Sequence, residues 1–86
     1  FGDKVPVSSL KGHFGHSLAA CGSMEIIASL EMMHRNILIP TRNLETPDPE
    51  CGGLNLIQTP VEQKTQYALS NNFAFGGMNT SLILKV

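Results

Sequence analysis

The sequence predicts an α/β unit: one buried helix packed on a small mixed sheet. Three observations carry this. Residues 17–34 are rich in Ala, Met, Leu and Ile and run too long for a strand. Residues 66–71 and 80–86 alternate apolar and polar with a period of two around a Gly-containing loop, the pattern of a hairpin. A short β-type run, residues 5–10, precedes the helix.

The elements follow in chain order. Residues 5–10 (VPVSSL) read as a strand, with Pro6 near its start where a missing N–H is tolerated. Residues 11–15 (KGHFG) read as a loop, because two glycines fall within five positions. His16 or Ser17 opens the helix, which runs to about His34. Apolar side chains lie nearly all round it, with Glu25 and Glu31 its only acids, and such a helix is either buried on every side or spans a membrane. Gly22, Glu25 and Glu31 interrupt it too often for a span of about 20 apolar residues. Residues 37–39 form a short apolar run ended by Pro40. Residues 41–53 form a long ordered loop anchored by Leu44 and Cys51, and residues 54–57 form another strand. The hairpin then turns through residues 74–79.

Composition narrows the function. The 86 residues hold 6 Lys and Arg against 7 Asp and Glu, a formal charge of −1, which excludes a nucleic-acid or polybasic membrane binder. Apolar residues make up 42 %, which excludes a disordered chain, and two Cys are too few for a disulfide scaffold. Charged residues make up only 15 %, against about 25 % in ordinary domains. A chain this small has a large surface to solvate, so low charge implies that much of that surface faces other protein. With a helix apolar on all sides and a first residue that is Phe, the expectation is a piece of a larger protein. Free thiols and no visible export signal point to the cytoplasm.

Three groups of residues carry possible chemistry. Lys11, His13 and His16 lie on a glycine loop leading into a helix. The positive end of a helix disfavours imidazolium, and a neutral imidazole there can donate one N–H to a developing oxyanion. The same residues also read as a structural loop with a solvated Lys and a capping His. Residues 71–79 (NNFAFGGMN) place two aromatics before Gly-Gly, which lets backbone approach a ligand closely; Phe73 and Phe75 also read as plain strand residues. His13, His16, Cys21 and Cys51 match no standard zinc spacing, and no metal or cofactor is expected. Cys21 lies among alanines in an apolar helix, the setting of an inert buried thiol and not of an activated nucleophile.

Taken together, these segments resemble one family. Lys11, Gly15-His16, Ala19-Ala20-Cys21-Gly22 and Glu25 are similar to the K-x-x-x-G-H-x-x-G/A-A-A-G-x-x-E segment of the β-ketoacyl-acyl carrier protein synthases. Ile39-Pro40-Thr41-x-Asn43-Leu44 resembles the family's I/V-P-P/S-T/S-x-N-L/I connection, and residues 53–57 the strand after it. Asn71-x-Phe73-Ala74-Phe75-Gly76-Gly77-x-Asn79 resembles its N-x-F-G-F-G-G-T-N loop. The matches stand in order from Val5 to Lys85.

The resemblance implies the C-terminal part of a thiolase-like ketosynthase domain, occupying residues 1–86. Such enzymes load an acyl group from acyl carrier protein onto a Cys, decarboxylate malonyl-acyl carrier protein and join the two, in fatty acid or polyketide synthesis. By the resemblance, His16 is the catalytic His that stabilises the enolate, Lys11 supports it, and Glu25 completes a polar network. Phe75 is the gate residue, with its N–H in the oxyanion hole, and Phe73, Gly76, Gly77 and Asn79 shape the loop. Expected partners are acyl carrier protein, the remainder of the ketosynthase chain and a second subunit in a homodimer. The nucleophilic Cys and the first catalytic His are absent, so these residues alone are expected to be inactive. Cys21 stands at the usual Ala, Met78 at the usual Thr, and Ala74 at the usual Gly, where a left-handed backbone would strain it. His13 falls on a variable position and is given no role. A non-catalytic, chain-length-factor-like partner subunit is the alternative, and an independent small binding domain is a third reading.

Overall fold

A computed structural model describes residues 2–86. Strand β1 (Pro6–Val7) is followed by a single helical turn, α1 (Lys11–Phe14). A 3-10 turn (Leu18–Ala20) leads into the main helix, α2 (Cys21–Arg35). Then come β2 (Ile37–Leu38), a second 3-10 turn (Pro49–Cys51), β3 (Asn55–Leu56), β4 (Val61–Glu62), β5 (Tyr67–Phe73) and β6 (Asn79–Lys85). The α/β order agrees with expectation, but the strands form three two-stranded ladders and not one sheet. β1 pairs parallel with β3, β2 antiparallel with β4, and β5 antiparallel with β6 over seven residue pairs from Tyr67↔Lys85 to Phe73↔Asn79.

Several elements differ from their sequence reading. The first strand is two residues long, because only Pro6 and Val7 find a ladder partner. The KGHFG loop is instead one α-helical turn. It ends at Gly15, whose φ of 76° and ψ of −173° suit glycine alone. Strand β4 exists only through its pairing with β2.

Helix α2 ends as its sequence allows. Asn36 takes the left-handed conformation (φ 55°) that Asn tolerates better than most residues, and its N–H bonds back to the carbonyls of Met32 and Met33. Arg35 pairs with Glu31 one turn back, at the helix end where a cation is favoured. Of the helix residues only Cys21, Glu25 and Met33 are buried. Ile27 is 68 % exposed. Among the described residues, β5 and β2 pack on the helix, and its exposed positions mix the apolar Met24 and Ile27 with Ser23, Glu31, His34 and Arg35.

The interior is correspondingly thin. Leu10, Cys21, Met33 and Ile57 are its buried apolar residues among those described. A folded monomer of 9.3 kDa exposes about 5,000 Å². This chain exposes 6507 Å², an excess of about 1,500 Å² on the same scaling. The excess includes the outer face of the hairpin, where Tyr67, Leu69, Phe73 and Ile83 are all exposed. Lys85 lies over the Tyr67 ring there, 5.7 Å from its centroid. The low charge thus has a structural counterpart in apolar surface left uncovered.

Candidate functional site

Two helices bring the first two site residues together. Lys11 opens α1 and Glu25 lies one turn into α2, and Lys11 Nζ forms an ion pair with Glu25 Oε1. The carboxylate side chain is 11 % exposed and the ammonium 37 %. Burial alone would push the Glu25 carboxyl up. The hydrogen bond from Lys11, with lesser ones from Cys21 and Asn72 and the Lys11 charge, outweighs it and holds the carboxyl below its ordinary value of 4.5. The hydrogen bond to Glu25 in turn raises Lys11 above 10.5, against the opposing effect of burial.

Cys21 belongs to this network as a neighbour of the carboxylate. Its Sγ lies 3.4 Å from Glu25 Oε1, and the residue is buried. That setting suits an inert thiol. Cys51 is exposed on its 3-10 turn, far along the chain. Among the described residues, no three of His, Cys, Asp and Glu gather as a metal ion would need.

His16 stands just beyond α1, but not at the mouth of α2. The 3-10 turn intervenes, so the helix-end explanation for a neutral ring does not apply as expected. A local bond orients the ring. The backbone N–H of Leu18 donates to His16 Nδ1 at 2.9 Å. A ring nitrogen that accepts carries no proton, so the neutral ring keeps its proton on Nε2 and presents a donor there. Leu18 adopts φ 54° to do this. A left-handed branched residue is uncommon, and such strain persists where the surroundings hold it. Sequence reading missed Leu18, because nothing in a Leu codes for positive φ.

The glycine loop sits at the tip of the β5–β6 hairpin. The Ala74 N–H donates to the Met78 carbonyl at 2.8 Å, and that of Gly77 to the Ala74 carbonyl at 3.3 Å. The left-handed positions are Gly76 (φ 87°) and Gly77 (φ 83°). Ala74 is not among them, so the strain anticipated at that residue is absent. Phe75 is fully exposed, and Phe73 and Asn79 close the last ladder pair beneath the turn. Among the described residues, no hydrogen bond joins this loop to His16 or Lys11. A β5 residue near the loop does approach the Lys11–Glu25 pair: Asn72, also missed from sequence. It faces α2 from β5, and its Nδ2 lies 3.4 Å from where a Cβ on Gly22 would stand. It is the smallest of the influences that hold the Glu25 carboxyl down.

Fold and site together define a mixed α/β segment carrying a Lys–Glu pair between its two helices and, after the first of them, a His whose Nδ1 accepts a backbone N–H. Residues 2–45 match the family profile described as "Beta-ketoacyl synthase, C-terminal domain". Over 86 residues the chain is 44 % identical to 3-oxoacyl-[acyl-carrier-protein] synthase 1 of Buchnera aphidicola (subsp. Schizaphis graminum), covering 99 % of this chain and 21 % of that protein. Over 80 residues it is 45 % identical to a protein of Streptomyces violaceoruber named for a granaticin polyketide β-ketoacyl synthase 1, covering 93 % of this chain and 19 % of the other. The crystal structure of a β-ketoacyl synthase from Burkholderia phymatum STM815 superposes with a TM-score of 0.89 at 49 % identity, over 94 % of this chain and 20 % of that one. The chain belongs to the β-ketoacyl synthase family, as a C-terminal segment with a thiolase-like fold. It spans about a fifth of the length of the relatives it matches.

Proposed function

We propose that the whole protein is a β-ketoacyl-acyl carrier protein synthase, and that residues 1–86 supply the half of its active site that handles the malonyl group. The observation that carries this is the Leu18 N–H on His16 Nδ1, which leaves Nε2–H as an outward donor. When malonyl thioester loses CO₂, the electron pair of the broken C–C bond moves into the thioester carbonyl and builds an enolate oxygen. An N–H aimed at that oxygen stabilises charge where it develops, without a reorganisation cost at that moment. The enolate carbon then attacks an acyl thioester on a Cys elsewhere in the protein and expels the thiolate. Lys11, held by Glu25, adds positive potential near His16. The Phe75 loop, with Phe73 beneath it and Gly76 and Gly77 shaping the turn, gates the acyl pocket.

Cys21 is buried against a carboxylate, Cys51 lies exposed on a 3-10 turn, and neither falls on the family's nucleophile position. The segment alone is therefore inactive and needs the remainder of the protein. Support for that partner comes from a cleft of about 580 Å³ between the backbone of residues 4–10 and that of residues 67–71. Among the described residues β1 pairs only with β3 and β5 only with β6, so each lining strand keeps an unpaired edge that a further strand of a larger sheet could take. Acyl carrier protein delivers both substrates, and the full-length protein is a homodimer.

The test uses the full-length protein with acyl- and malonyl-acyl carrier protein. His16→Ala should abolish decarboxylation and condensation while acyl transfer to the Cys survives. Wild-type decarboxylation in that variant would overturn the reading.

A further inference from the structure

We propose that His13 is a positioning residue for His16, through the hydrogen bond its ring N–H donates to the Pro40 carbonyl. The inference rests on the condensing function above.

Helix α1 is one turn long. Starting a helix fixes several residues for one hydrogen bond, so an isolated turn has no stability of its own. Its backbone closure includes the His13 N–H on the Leu10 carbonyl (3.0 Å) and the Gly15 N–H on the Lys11 carbonyl (2.8 Å). It must be held from outside, and it is held on opposite sides. Lys11 reaches Glu25 of α2. His13 lies two residues on, about 200° around the turn, and its Nε2 lies 2.8 Å from the Pro40 carbonyl. Gly12 lies flat against the same receiving segment. A Cβ there would stand 3.1 Å from the Arg42 carbonyl oxygen and 3.2 Å from Arg42 Cβ.

The receiving segment is itself fixed. The Thr41 N–H donates to the carbonyl of buried Ile57 at 3.0 Å, and Thr41 Oγ1 accepts the Ser9 N–H at 2.9 Å. A continuous path therefore runs from the core through Thr41 and Pro40 to His13. Beyond His13 only Phe14 and Gly15 precede His16, and the Gly15 N–H is itself bonded to the Lys11 carbonyl, so the backbone entering His16 moves with α1. The Leu18 N–H fixes the ring's tilt, and where α1 sits sets where that ring, and so His16 Nε2, is placed. Small displacements of a group that stabilises a transition state are costly in rate.

The experiment uses full-length enzyme and two variants of this exposed residue. His13→Phe keeps a ring and removes the donor, whereas His13→Gln keeps an amide N–H near the Nε2 position. His13→Phe should slow malonyl-acyl carrier protein decarboxylation about tenfold, the rate equivalent of one hydrogen bond's net worth. KM and the acyl-transfer step, which does not use His16, should be unchanged. His13→Gln should recover most of the lost rate. Wild-type decarboxylation in His13→Phe overturns the inference. So does a uniform loss across both half-reactions that His13→Gln does not repair, which marks a merely structural contact. His16→Ala run alongside separates the readings: if it retains decarboxylation, the functional assignment itself fails.

Discussion

Neutralising Glu25 as Glu25→Gln, Lys11 as Lys11→Met, and both together should reveal a coupling of about 1–2 kcal/mol between the two sites. The magnitude follows from their exposure. Fully exposed pairs are worth about 0–1 kcal/mol, while breaking a fully buried one costs about 3–5 kcal/mol. Here the carboxylate side chain is 11 % exposed and the ammonium 37 %, so solvent screens one partner and hardly the other. The assay is urea unfolding of the full-length protein, wild type and the three variants, across pH. Glu25 is held below its ordinary 4.5, so its stabilisation is present above that value and fades as pH falls through the lower native value. Lys11 is raised above 10.5, so its contribution is present below that value and is lost as pH rises through the higher native one. The coupling should therefore be flat from about pH 5 to 10 and fall away on both sides. A coupling under about 0.3 kcal/mol at pH 7 would refute the reasoning, as would one that persists undiminished in acid.

Two further substitutions probe the backbone around the same residues. Gly12→Ala forces a methyl to 3.1 Å from the Arg42 carbonyl oxygen, and it should destabilise the full-length protein by about 1–3 kcal/mol in urea unfolding. Leu18→Gly relieves a left-handed branched residue while keeping the N–H that holds His16. It should leave decarboxylation within about twofold of wild type, since the donor is main-chain, and a large loss would show that the Leu side chain itself acts at the site.

What the sequence revealed, and what it did not, divides along a physical line. Helix α2 and the β5–β6 hairpin were legible because each is long enough for its period to show. β4 was not, because Val61 and Glu62 become a strand only when Ile37 and Leu38 lie beside them. α1 was misread because its glycines suggested a loop, when Gly12 is there to let Arg42 approach. At the site, Lys11 and Glu25 were placed in one polar network by the family resemblance alone, and in the fold they form an ion pair. The bond from Leu18 to His16 had no signal, since it depends on a backbone angle that Leu rarely adopts. Asn72 lay inside a recognised motif, but at a position the motif leaves free, and only the packing of β5 on α2 gives it a part.

The cleft flanked by β1 and β5 carries a hazard of its own. An unpaired strand edge is a template for whatever extended chain reaches it first. β1 is two residues long and blunted by Pro6, which has no N–H to offer. β5 is seven residues of YALSNNF, with neither proline nor charge, and its outward face is apolar at Tyr67, Leu69 and Phe73. Released from the rest of its protein, this chain would misassemble edge to edge along β5, and a charged gatekeeper on that strand would be the first remedy to try.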